Sequence, residues 1–469
     1  MDDRHSTPVH SHLAYFHDPY RLVWRHFYYP IFINLECIMK KDLEGAALKK
    51  ITWRIVPFVM FAYFIAFFDR INIGFAALTM NQDLGFSSTV FGIGAGMFFI
   101  GYFFTDVPSN IILQKVGPRI WLARIMISWG IVAACMISVK TVTGFYILRF
   151  FLGVAEAGFF SGIILYLSTW FPVKRRAQVI AFFMAAAPIS SMLGSPLAGT
   201  ILSVHGVMGM TGWQFMFLLD AVAAILLGGF TFFYLNDRPE KNTWLNEEET
   251  QWLVKTLQEE KAARSSETKT SALKGLTDIR VLTLALVYFG TSAGLYSLNI
   301  WSPQFIKSFG LSTLQIGFIN AIPAAIAVGA MIFWARHSDA TRERTWHVVS
   351  ACILASLGFV LAGSVHSLGF AMLALVLASI GIYSCKPPLW SIPSLFLSGP
   401  AAAAGLAAIN SIGNLGGFFG PAIIGWLKEK TGDFSLALYA IAALLLLSAL
   451  LTLLIEVSRK RKVMKTSMA

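Results

Sequence analysis

Charge is what this chain has least of. Asp, Glu, Lys and Arg together make up 13% of its 469 residues, where soluble globular proteins carry about 25%. That shortage, with 56% hydrophobic residues and repeated apolar runs near 20 residues, excludes a soluble globular protein and points to an integral membrane protein. Cysteine is scarce too. Cys37, Cys135, Cys352 and Cys385 are scattered without ligand-like spacing, so neither a disulfide framework nor a metal site is indicated. Enzyme signatures are missing as well: there is no HExxH-like and no Gly-x-Ser-x-Gly element. The glycine-rich GIGAGMFFIG follows no strand and leads to no Gly-Lys-Ser, so it is not a phosphate loop. No cofactor is implied, and no enzyme.

The formal charge of +12 could suggest nucleic acid, but the basic residues collect in short loops and tails between apolar runs. Positive-inside topology explains them better. Twelve spans are expected near 52–77, 88–108, 119–138, 142–163, 177–203 and 213–235, then 280–305, 313–335, 346–364, 369–397, 403–427 and 433–457. One side of the bilayer receives Lys115 and Arg119, then Lys174 to Arg176, Arg336, Arg342 and Arg344, and the RKRK tail from Arg459. The other receives Lys140, Lys307, Lys428 and Lys430. Both termini are therefore expected in the cytoplasm of a multi-pass protein.

The organisation reads as an N-terminal extension at 1–47, a six-helix bundle at 48–235, a cytoplasmic linker at 236–279, a second bundle at 280–457 and a basic tail at 458–469. The His- and aromatic-rich extension reads either as an interfacial arm or as sequence upstream of a start at Met39. The linker mixes charges of both signs and reads as a solvated, partly helical segment. A duplicated architecture is supported by an echo: NIILQKVGPRIW after span two and WARHSDATRERTW after span eight are basic turns at equivalent places. They suit cytoplasmic gating by ion pairs, or plain topogenic loops.

Against this apolar background the intramembrane charges stand out, since each costs roughly 2.5–3.5 kcal/mol at a bilayer centre on insertion scales. Span four, FYILRFFLGVAEAGFFSG, carries Arg149 and Glu156. They are two helical turns apart on one face. Span one carries adjacent Asp69 and Arg70 in FFDRINIGFAAL, at a depth similar to that of Arg149. A carboxylate that can be neutralised beside guanidiniums that stay charged suits proton-coupled anion movement; static ion pairs between helices are the alternative. Span ten contains KPPLWSIPSLF. There Lys386 either faces a cavity or snorkels to the interface, prolines break the helix, and Trp390 could wall a site. In span eleven Asn410 and Asn414, one turn apart, suit either a polar solute or interhelical hydrogen bonds. Asp106 and Asp220 read as structural or gating acids.

From about Leu48 to Glu456 the chain resembles the major facilitator superfamily, and within it the anion–cation symporter family. FFDRINIGFAAL, RFFLGVAEAGFFSG with WFPVKRRAQ, and AINSIGNLGGFFGP carry the resemblance. KPPLWSIPSLFLSG, with HG and GWQFMFLLD, is most similar to its tartrate-transporter branch. The resemblance implies an all-α membrane protein of twelve helices in two pseudo-symmetric bundles around a midplane cavity, importing an organic anion with protons by alternating access. It implies that Asp69 and Glu156 carry protons, that Arg70 holds the substrate carboxylate, and that Arg149 organises Glu156. Trp390 and Asn410 match substrate-contacting positions. In the first gating loop Gln114 and Lys115 stand where Asp-Arg is usual, while the later copy keeps Asp339.

The expectation is a bacterial inner-membrane proton symporter for a small carboxylate, acting as a monomer with no nucleic-acid partner. Arg70, facing Lys386 across the cavity, would suit a dicarboxylate such as tartrate; aromatic walls would suit an aromatic acid such as hydroxyphenylacetate. Sodium coupling, anion exchange and a transporter-like sensor are the rivals.

Overall fold

A computed structural model describes residues 29–204, 206–265, 276–393, 396–397 and 399–468. The expected N-terminal arm falls outside the described residues up to position 28; from Tyr29 one helix runs through to Leu84. Among the described residues, twelve helices are long and apolar enough to cross a membrane. Spans 1 to 6 are Leu43–Leu84, Ser88–Val116, Pro118–Ser138, Val142–Trp170, Val173–Ser203 and Gly212–Tyr234. Spans 7 to 12 are Ile279–Lys307, Thr313–Thr341, Thr345–Ser364, Leu368–Ser391, Ala404–Thr431 and Ser435–Val457. Their outward faces are greasy: Leu226, Phe233 and Phe333 are among the large apolar residues left exposed, as expected where lipid is the solvent.

Helix ends are set by local chemistry. Ser87 accepts from the Val90 N–H at the start of span 2. Thr141 does the same for Gly144 before span 4. Before span 8, Ser312 and Gln315 form a reciprocal capping box. Such caps satisfy amide groups that helix starts leave without partners.

The packing repeats with an offset of six. Span 1 packs on span 5 as span 7 does on span 11; 2 on 4 as 8 on 10; 3 on 6 as 9 on 12. Contacts between the halves respect the same two-fold, running 1 to 7, 2 to 11 and 5 to 8. Two pseudo-symmetric six-helix bundles result. Small residues allow their close approach: a Cβ added to Gly199 would lie 2.8 Å from the Gly317 Cα. The segment after span 6 is less free than a solvated linker. Its helix, Glu247–Ser265, is tied to span 1 by Lys50–Glu249 at 2.7 Å, and Trp244 stacks on Trp170 of span 4.

Span 4 corrects the expectation of one continuous helix. It is two helices, Val142–Glu156 and Phe159–Trp170, joined through Gly158 at φ +85°. Only glycine adopts that conformation without cost. Ser109 of span 2 fits into the break, donating to the Ala157 carbonyl at 2.7 Å. A Cβ at position 158 would run into the Ser109 hydroxyl. Gly158→Ala is therefore expected to destabilise the protein by about 1–2 kcal/mol from the left-handed backbone alone, read as a lower unfolding temperature of the purified protein. An unchanged unfolding temperature would show that the break is not needed.

Candidate functional site

The broken helix ends on Glu156, and this places the carboxylate where it can be reached from span 1. Arg70 reaches it: Nε donates to Glu156 Oε1 at 2.6 Å, and the Nη2 of Arg70 lies 2.5 Å from the same oxygen. Both residues are buried, Glu156 completely. The guanidinium also stacks near the rings of Phe98 and Tyr102, and Nη1 donates to the Tyr296 hydroxyl of span 7 at 3.3 Å. Arg70 thus joins spans 1, 4 and 7 and touches both halves of the molecule.

Adjacent residues on a helix point about 100° apart, and Asp69 accordingly faces elsewhere. It is fully buried, and neither of its carboxylate oxygens accepts a hydrogen bond from a described residue. Arg149 stands near it but spends one amino group on the Ala95 carbonyl at 3.2 Å and lies over Phe98. The expectation that Arg149 organises Glu156 needs correction: the partner of Glu156 is Arg70, because the end of the first half-helix brings the carboxylate across to span 1. Arg149 is instead anchored to span 2.

The second half's cation stands beside Tyr288, on the same helix as Tyr296. Lys386 is half-buried and places its ammonium 4.7 Å from the centre of the Tyr288 ring. Trp390 packs edge-on to that ring at 5.1 Å, and its indole N–H has no partner among described residues. Lys386 therefore points into the molecule among aromatic side chains, and both Arg70 and Lys386 border the Tyr288–Tyr296 pair. Tyr288, Tyr296 and Tyr102 were not singled out in the sequence.

Asn410 and Asn414 are engaged with other partners. Asn410 donates to Asp106 at 3.1 Å and Asn414 to Asn410 at 3.1 Å. Asp106 also accepts from Ser161 at 2.9 Å. Asn410 thus ties span 11 to span 2, and Asn414 supports it from one turn along the same helix.

The basic turns differ. In the second, Arg344 pairs with Asp339 at 2.6 Å, and Arg342 adopts φ 54° at the helix end. In the first, Lys115 is exposed, and the backbone N–H of Arg119 donates to Asp237 at 2.9 Å. An acid from beyond span 6 stands where the turn has none of its own.

The opposite face, away from these turns, is pinned shut between the halves. Lys307 donates to the Leu78 carbonyl at 2.5 Å, and the Thr89 N–H donates to Glu429 at 2.8 Å. In the middle, Ser191 donates to Asn299 at 3.0 Å. Toward the basic turns, Asn410–Asp106 is the only such cross-half hydrogen bond among the described residues. A cavity of about 760 Å³, bordered by Lys307, Lys428 and Gln304, opens on the opposite face. It contains none of the charged cluster, which is packed closed around Arg70.

The cluster carries a stability consequence. Removing one partner of a buried ion pair leaves an unpaired charge and costs about 3–5 kcal/mol. Arg70→Ala is expected to lower the unfolding temperature sharply at neutral pH, and Arg70→Ala/Glu156→Gln to recover much of the loss. A double variant no more stable than the single one would show that the pair is not the source.

Comparison with known proteins adds a family. A model of the Major Facilitator Superfamily matches residues 59–421. A protein of Agrobacterium vitis, provisionally named a tartrate transporter, is 62% identical over 426 residues, covering 91% of this chain and 95% of its own. The inner membrane transport protein RhmT of Escherichia coli (strain K12) is 35% identical over 425 residues, covering 90% and 98%. Among solved structures, a bacterial homologue of the human lysosomal transporter Spinster, inward-facing and occupied, superposes with a TM-score of 0.69. It shows 15% identity and covers 85% of this chain and 96% of its own. This last likeness concerns the fold alone.

Proposed function

The chain belongs to the major facilitator superfamily, and on that premise we propose that it imports a small organic anion, a tartrate-like dicarboxylate, by proton symport with alternating access. The observation that carries the reading is the buried Arg70–Glu156 pair beside Tyr296, where the two halves meet. An arginine keeps its charge and offers a planar fork to carboxylates. With Glu156 charged, that fork is occupied. Protonation of Glu156 releases it for the carboxylate of the anion, so anion and proton enter together. Lys386, beside Tyr288, receives the second carboxylate. The relative provisionally named a tartrate transporter, with its 62% identity, supports the dicarboxylate.

Alternating access is supported by the way the halves touch: small residues and a few hydrogen bonds hold the opposite face, and Asn410–Asp106 spans the other. In this reading the basic turns, including Lys115, Arg119, Asp339, Arg342 and Arg344, face the cytoplasm and gate it. Both termini lie there, the protein sits in a bacterial inner membrane, and it works as a single chain. A second reading, an aromatic acid, is favoured by one observation: Trp390 and Tyr288 flank Lys386 and would stack on an aromatic ring.

In proteoliposomes, an inward proton gradient should drive accumulation of labelled tartrate, and Asp69→Asn or Glu156→Gln should abolish net uptake. Uptake that ignores the gradient and both substitutions would sink the symport mechanism. Lys386→Ala should weaken transport of diacids at least about tenfold more than of monoacids, the low end of what one lost charge-assisted hydrogen bond of about 1.5–3 kcal/mol would make. Equal losses for both would favour the aromatic acid.

A further inference from the structure

Asp220 of span 6 is a buried acid to which the symport scheme gives no task. It is 3% exposed, and one of its oxygens, Oδ2, accepts from the Asn72 side-chain amide at 3.1 Å. Asn72 is three residues beyond Asp69 on span 1, and residues so spaced are neighbours on one helix face. The Asn72 amide therefore holds the Asp220 carboxyl on the face of span 1 that carries Asp69, near enough for the two carboxyls to act on each other. Neither oxygen of Asp69, nor Oδ1 of Asp220, has a hydrogen-bond donor among the described residues. Two ionised carboxylates facing each other in a buried site repel; one proton between them supplies the missing donor and removes one charge. Both then become satisfied.

The charged surroundings agree with a single shared proton. Glu156 and Arg149 of span 4 act on the pair from one side, and Arg70 neutralises Glu156. The phenols of Tyr63, Tyr102 and Tyr296 stand around Arg70. Spans 3, 5 and 7 also pack here, yet they carry no charged residue across 125–138, 177–203 and 281–306. Span 2 brings Asp106, which is engaged with Asn410 and Ser161. Among the described residues of the stretches just named and of span 4, Arg149 is thus the cation left to balance the pair, which suits a pair bearing one negative charge rather than two.

We propose that Asp69 and Asp220 form a carboxyl dyad that shares a transported proton besides the one Glu156 takes up, with Asn72 as the positioning residue that holds Asp220 in register. Loading leaves one proton and one negative charge on the dyad; release of the proton to water leaves two carboxylates, and repulsion between them favours reloading. The dyad rests on the symport reading for its role in transport, but its shared proton can be observed without transport.

The test uses the full-length protein, with folding of each variant checked by gel filtration and thermal unfolding. In infrared spectra at neutral pH, the unmutated protein should show a protonated carboxyl signal that Asp220→Asn diminishes. In proteoliposomes, the external pH at which tartrate uptake is half-maximal should move to lower pH in Asp220→Asn by about one unit, a tenfold change in proton concentration, because the repelling carboxylate that favours the proton is gone. Asn72→Ala, which removes a donor to the carboxylate, should move it to higher pH. A structural aspartate would not give shifts of opposite sign. A folded Asp220→Asn with an unchanged midpoint overturns the dyad, and if that variant does not fold, an unchanged midpoint in Asn72→Ala does so. Failure of symport would show differently, as uptake by the unmutated protein that ignores pH; the dyad then stands or falls on the infrared signal alone.

Discussion

Arg70 cannot be placed in a membrane protein without a partner, and much of the architecture follows from giving it one. A guanidinium stays charged at any accessible pH, and moving it from water into the protein interior is worthwhile only if its hydrogen bonds are replaced. Glu156, Tyr296 and the faces of Phe98 and Tyr102 replace them. To deliver Glu156, span 4 must stop as a helix, which requires Gly158 at φ +85° and a span 2 shaped to fill the break with Ser109. To deliver Tyr296, span 7 must pack directly on span 1. One buried cation thereby joins the two halves, and a change of its partner is a change in how the halves are held.

Much of this was legible in the sequence. Hydropathy and charge distribution foretold twelve helices and a duplicated plan, because in a bilayer the apolar face and the length of each helix are fixed by the solvent. The charges at 69, 70, 149 and 156 stood out for the same reason. Their pairing did not. Arg149 and Glu156 share a helix face and the family resemblance joined them, whereas the structure gives Glu156 to Arg70, 86 residues earlier. Whether a carboxylate looks along its own helix or across to another depends on where the helix breaks, and AEAG does not announce a break by composition alone.

Other differences have the same origin. Asn410 looked free to meet a solute because its partner Asp106 lies 304 residues away. The first basic turn looked as though it lacked an acid because Asp237 arrives only after four more helices. Asp220 read as an isolated acid until Asn72 brought it to Asp69. In each case local pattern fixed the residue's depth and face, while its partner was set by the packing of distant spans. Polar residues in a bilayer are expensive enough to be conspicuous singly, but their pairing is a tertiary property.

In the proposed mechanism Arg70 passes from Glu156 to the anion, so that binding and protonation are one event. Calorimetry of tartrate binding to the purified protein, run in buffers of differing ionisation enthalpy, counts the protons exchanged without any transport. The account predicts net proton uptake on binding at neutral pH, and its loss in Glu156→Gln. Tartrate binding with no proton exchange in the unmutated protein would contradict it.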